Sequence, residues 1–117
     1  MPLVREILAR VFVDDLDRAL PTYVNLSGGA EPRIFEFRAV RLAWIGSFLL
    51  LQVPPDQRAA YDRVATVLVE NIKLAQSIVE SGGGAVLEGP ADGPNGPRMI
   101  ARHADGSVFE YIQPGAG

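Results

Sequence analysis

Hydrophobic positions along the chain follow two rhythms, and the switch between them outlines the elements. Residues 6–13 alternate toward a strand that ends on Phe12 and Val13. Asp14 and Asp15 then offer helix caps, and acidic residues suit the positive end of a helix dipole. Leu16, Ala19, Leu20, Tyr23 and Val24 follow at i, i+3, i+4, i+7 and i+8, which is one apolar helical face. Pro21 lies inside that pattern and is expected to bend the helix or end it early. Strands are expected over 33–38, 40–45 and 47–53. The stretch "PPDQRAAYD" (54–62) opens with two prolines that stop the fourth strand, and it has room for a helical turn.

The same order then recurs. A fifth strand ends at Val69, Asn71 caps a helix with Ile72, Ala75, Ile78 and Val79 on its apolar face, and Gly82–Gly84 stop it. Strands are expected over 85–88, 97–103 and 107–113, with the Pro/Gly-rich "GPADGPNGP" (89–97) read as an irregular loop. The recurrence extends to residues. "VFVDDLDRALPTYVNLSGG" (11–29) parallels "VLVENIKLAQSIVESGGG" (67–84), with Val11 answering Val67 at an offset of 56. "GSFLLLQVP" (46–54) parallels "GSVFEYIQP" (106–114), with Gly46 answering Gly106 at an offset of 60. Two copies of one strand–helix–three-strand unit, about 5–54 and about 62–114, account for nearly all of a single domain over 1–117.

Composition then narrows the function classes. At 117 residues and 48% hydrophobic the chain can bury a core. A net charge of −3 removes the basic footprint that nucleic acid requires, and no Lys/Arg run suits an anionic membrane. There is no cysteine, hence no disulfide, thiolate metal site or thiol nucleophile, and the one histidine, His103, rules out a His-rich metal centre. The longest apolar run, "AWIGSFLLLQV", is too short to span a bilayer, and the charged N-terminal stretch makes a poor signal peptide, so a cytoplasmic location is expected.

The duplicated unit, with "VDDLDRALPTY" after the first strand, "EGPADGPNGPRM" before the seventh and "DGSVFEYIQP" at the end, resembles the vicinal oxygen chelate superfamily of glyoxalases, bleomycin-resistance proteins and extradiol dioxygenases. The resemblance implies an α+β fold. Two βαβββ units form a curled mixed sheet around a cavity, the helices lie outside, and a homodimer is common. Metal-using members place ligands on the first, fourth, fifth and eighth strands. Carried over, those positions are Leu8, Leu50, Val64 and Glu110. Three aliphatic side chains cannot bind a metal, so neither metal nor cofactor is expected.

Strand alternation with Glu110 inward sets the expected cavity face. It comprises Leu8, Arg10 and Phe12, then Phe48, Leu50 and Gln52, then Val64, Thr66 and Leu68, and finally Val108, Glu110 and Ile112. The ligand-binding candidates are Arg10, Phe12, Trp44, Phe48, Leu50, Gln52, Thr66, Leu68 and Glu110. An apolar pocket with a few polar points suits a small organic molecule. Glu110 has two readings: a general acid/base or ligand acceptor, or a former ligand paired with Arg10. Two classes of function follow for a metal-independent member, a bleomycin-resistance-like binding protein or an isomerase, lyase or cyclase using Glu110. A structural dimer with a collapsed cavity is a third. His103, beside "ADG", is expected in an exposed turn.

Overall fold

Where an apolar helical face meets an alternating strand, the two bury each other, and this happens once in each repeat. The computed structural model describes residues 2–115. Its chain divides into an N-terminal unit, Leu8–Asp62, and a C-terminal unit made of residues 63–115 with residues 2–7. In the N-terminal unit the elements are β1 (Val4–Val13, of which residues 8–13 belong here), α1 (Leu16–Leu26), β2 (Arg33–Phe37), β3 (Val40–Ile45), β4 (Phe48–Gln52) and a 3-10 helix (Pro55–Tyr61). Strand order is β2-β3-β4-β1, with β1 parallel to β4 and the other pairs antiparallel. In the C-terminal unit β5 (Thr66–Val69), α2 (Ile72–Ser81), β6 (Ala85–Gly93), β7 (Gly96–Arg102) and β8 (Val108–Ile112) repeat the plan. The order there is β5-β8-β7-β6, with β5 parallel to β8. The α+β class and the paired βαβββ units are as expected.

Each helix covers one face of its own sheet. Leu16 of α1 packs with Ala43, Ile45 and Leu50, flanked by Val11, Val13, Leu20, Tyr23 and Phe48. Ile72 and Ala75 of α2 pack with Val67, Val69, Met99, Ala101 and Tyr111, flanked by Val79, Val86 and Phe109. Full burial of a side chain such as Leu16 or Leu50 contributes roughly 2 kcal/mol.

The helix starts are satisfied by one device used twice. Asp15 accepts from the Arg18 N–H at 3.3 Å, and Asn71 accepts from the Leu74 N–H at 3.0 Å. A glutamine at the end of the last strand reaches back to the first helical amide. Gln52 Oε1 accepts from Leu16 N at 2.8 Å, and Gln113 Oε1 accepts from Ile72 N at 2.9 Å. Two of the orphan donors at each helix start are thereby paired. Asp14, the other cap candidate, instead takes an ion pair from Arg58 at 2.7 Å.

Two local expectations are corrected. Pro21 does not end α1 early, since the helix runs on to Leu26. Apolar anchors on both sides of it, Leu16 and Tyr23 among them, hold the helix to the sheet and outweigh one missing hydrogen bond. The segment 89–97 is not an irregular loop. β6 continues to Gly93 and pairs with β7 through Ala91–Arg98 and Asp92–Pro97. Of two register shifts in β6, one falls at Leu87 and the other absorbs Gly89, at φ +80°, and Pro90, which leaves Pro94 and Asn95 as the turn.

Candidate functional site

The ladders decide which repeat positions correspond. In β1·β4 Arg10 lies opposite Leu49, while in β5·β8 Thr66 lies opposite Glu110. Arg10 and Thr66 keep the offset of 56 seen in the first repeat match. The N-terminal counterpart of Glu110 is therefore Leu49 and not Leu50, at the offset of 61 that also relates Gln52 to Gln113. The Gly-Ser and Pro anchors align one residue out because Ser47 and Leu49 are separated by Phe48 alone but Ser107 and Glu110 by Val108 and Phe109, and because Val53 separates Gln52 from Pro54 whereas Pro114 follows Gln113 directly.

One residue of register turns every side chain to the other face. Phe48, Leu50 and Gln52, expected on the cavity face, point toward α1. Leu50 lies in the helix-facing core, Phe48 meets Tyr23 edge-on with centroids 5.0 Å apart, and Gln52 caps the helix. The opposite face of the N-terminal sheet carries Leu8, Arg10, Phe12, Leu42, Trp44, Leu49 and Leu51. Of these Arg10, Phe12 and Trp44 are half-buried and the leucines buried. Arg10 Nη2 donates to the Tyr61 carbonyl at 2.8 Å, and Trp44 Nε1 donates to the Gly46 carbonyl at 2.8 Å. Val64 precedes β5 and is exposed, with its N–H donated to the Val108 carbonyl at 2.8 Å.

The matching face of the C-terminal sheet holds Thr66, Leu68, Arg98, Ile100, Glu110 and Ile112, and it is there that charge is concentrated. Thr66 is fully buried, while Arg98 and Glu110 are each 9% exposed. Thr66 Oγ1 donates to Glu110 Oε1 at 2.7 Å. Arg98 donates to Glu110 Oε2 from Nε at 3.2 Å and from Nη2 at 3.1 Å. Its Nη1 donates to Glu88 Oε2 at 2.6 Å, and Glu88 is the more exposed member of the set. A buried carboxylate needs this kind of compensation. Here both oxygens are engaged, so Glu110 is held in one orientation.

Thr66 and Glu110, both expected at the site, are thus brought into direct contact, with Leu68 on the same face. Arg98 and Glu88 were not anticipated. Period-two alternation over 97–103 would have put Arg98 on the face of Ile100, beside Glu110. Glu88 had no such signal, because its approach to Arg98 depends on a bulged hairpin through a Pro/Gly segment. Among the described residues no group of three or more His, Cys, Asp or Glu side chains is placed to hold a metal ion.

A second polar pair lies on the helix side of the same unit. His103 Nε2 and the Tyr111 hydroxyl share a 2.6 Å hydrogen bond, and the imidazole stacks on Phe109 at 4.5 Å. Burial pushes the Tyr111 phenol above its ordinary range. His103 is therefore half-buried and engaged, not an exposed turn residue.

No family model and no curated protein sequence matches the chain. Solved structures do. An uncharacterized protein from Methanosarcina mazei superposes with a TM-score of 0.87 at 32% identity, covering 98% of this chain and 95% of that one. A methylmalonyl-CoA epimerase in complex with methylmalonyl-CoA and NH4+ superposes at 0.74 and 16% identity, over 98% and 97% of the two chains. A Streptomyces coelicolor methylmalonyl-CoA epimerase variant in complex with 2-nitronate-propionyl-CoA gives 0.71 at 17%, also over 98% and 97%. At those identities the epimerases report the fold alone. No helix among the described residues is long and apolar enough to cross a membrane. At 32% identity over nearly the whole of both chains, this chain and the Methanosarcina mazei protein belong to one family, and the fold is that of the vicinal oxygen chelate superfamily.

Proposed function

We propose that the protein binds a small, mostly apolar organic molecule without a metal, in the manner of bleomycin-resistance-like members of the superfamily, against the sheet face that carries Glu110. The observation that carries this reading is the Thr66–Glu110–Arg98–Glu88 network set among Leu68, Ile100 and Ile112. Apolar side chains supply contact area, and Glu110, fixed by two donors, orients one hydrogen-bond donor of the ligand. On the corresponding face of the N-terminal unit, Arg10, Phe12 and Trp44 offer half-buried surface of the same mixed character. The setting proposed for this activity is a cytoplasmic homodimer. Exposed apolar side chains such as Ile34 and Leu87, on the outer strands β2 and β6, support the dimer.

The position of Glu110 favours a second reading, a metal-free isomerase, lyase or cyclase in which its carboxylate transfers a proton. Glu110→Gln separates the two. A screen of small hydrophobic compounds by thermal shift, followed by native mass spectrometry, is expected to yield ligands that Glu110→Gln binds about tenfold or more weakly, the loss of a charge-assisted hydrogen bond. Turnover of such a compound by the wild type, abolished in Glu110→Gln with binding intact, selects the enzyme. Ligands whose affinity and turnover both ignore Glu110→Gln would remove Glu110 from either role.

A further inference from the structure

The His103–Tyr111 pair does not face the network described above, because it belongs to the helix side of the C-terminal sheet. It opens onto a cleft of about 380 Å³, between the last turn of α2 and the turn that joins β7 to β8. Ile78, Val79 and Ala104 supply apolar walls, and His103, Asp105 and Tyr111 the polar surface. That volume is within the range of small-molecule sites.

Three features of the cleft agree on the sign of charge it favours. It lies at the C-terminal end of α2, the negative end of the helix dipole, and the last turn of α2 contains no basic residue to offset it. Asp105 contributes a carboxylate to the rim, and none of the residues lining the cleft is a lysine or arginine. The Ser107 N–H, donated to Asp105 Oδ1 at 2.8 Å, and the Ser107 side chain hold that carboxyl below its usual range, so it is charged at neutral pH. The aromatic surface of Tyr111, held in place by its hydrogen bond to His103, favours a cation as well. We propose that this cleft is a binding site for a small organic cation, an ammonium group carried on a short apolar body. The ammonium sits at Asp105 and the helix end, and the body lies along Ile78, Val79 and Ala104. The inference is independent of the role proposed for Glu110.

The sequence provides its own reporters. His103 is the single histidine and Trp44 the single tryptophan, so one imidazole NMR signal reads the cleft and indole fluorescence reads the N-terminal sheet. The probe is phenethylammonium chloride, with 3-phenylpropionate as its anionic counterpart of similar size. The amine is expected to shift the His103 signal saturably with a Kd on the order of millimolar, and the carboxylate to leave it unmoved. Asp105→Asn keeps the oxygen that accepts from Ser107 and removes the charge, and it should weaken the amine about threefold. Ile78→Ala, at an exposed helical position, should weaken it by a similar factor through lost apolar contact. The proposal is overturned if the shift does not saturate, if the carboxylate shifts the signal equally, or if Asp105→Asn binds as the wild type does. A response confined to Trp44 fluorescence overturns it too.

Discussion

The N-terminal and C-terminal sheets share strand order, parallel closing pair, helix cap and capping glutamine, yet their faces away from the helix differ in kind. The β4·β3 positions Leu49 and Leu42 of the first correspond in the ladders to Glu110 and Arg98 of the second. Duplicated backbone geometry therefore tolerates either an aliphatic pair or an ion pair at one place. The helix-facing side differs in residue size and not in the presence of an ion pair: Ala43 and Leu50 there correspond to Met99 and Tyr111.

The sharpest way to break this contrast is to remove one charge. Arg98→Ala leaves Glu110 buried beside Thr66 without its guanidinium and should destabilise the protein by about 3–5 kcal/mol in denaturant titration. Copying the N-terminal pair into the C-terminal unit, Arg98→Leu with Glu110→Leu, should recover most of that loss, since well-packed apolar residues often replace a buried ion pair at little cost. A double variant no more stable than Arg98→Ala would show that the two faces are not interchangeable.

The shared feature is tested with a smaller effect. Gln52→Ala and Gln113→Ala each leave one helix-start amide without its side-chain acceptor and should cost about 1 kcal/mol apiece. Equal costs support equivalence of the two glutamines; a cost in one unit alone would argue against the offset of 61. The smallest effect concerns a residue found only in the second unit, where Tyr111 is paired with His103. Its folded-state phenol is raised by burial, so the associated stability is present below the ordinary phenol pKa and is lost as pH rises through the folded value. The thermal midpoint should fall more steeply above about pH 10 in the wild type than in Tyr111→Phe. The variant should begin lower at neutral pH by about 1 kcal/mol for the missing hydrogen bond.

Much of this architecture was legible in the residues. The alternation before Val13 and Val69, the caps Asp15 and Asn71, and the apolar faces starting at Leu16 and Ile72 each report local physics that a single chain segment carries by itself. Pro21 and the Pro/Gly segment 89–97 were harder to read, because their local preferences were overruled by packing and by the β7 partner. The candidate site was half legible. Glu110 stood out as a charge among apolar neighbours, and Thr66 by alternation. Leu50 and Gln52 were assigned to the wrong face because two compensating one-residue differences, an extra residue between Ser107 and Glu110 and Val53 after Gln52, moved the apparent register by one.

By itself the amino-acid sequence determined that two βαβββ units exist, where their helices begin, and that one carboxylate interrupts the last strand. Those properties depend on periodicity and capping, which act over a few neighbouring residues. Only the tertiary structure decided the partners of that carboxylate. Arg98 reaches it across the β7·β8 ladder, and Glu88 reaches Arg98 across a bulged hairpin. Strand register converts sequence distance into contact, and it is set by pairing between strands, information that no one strand contains.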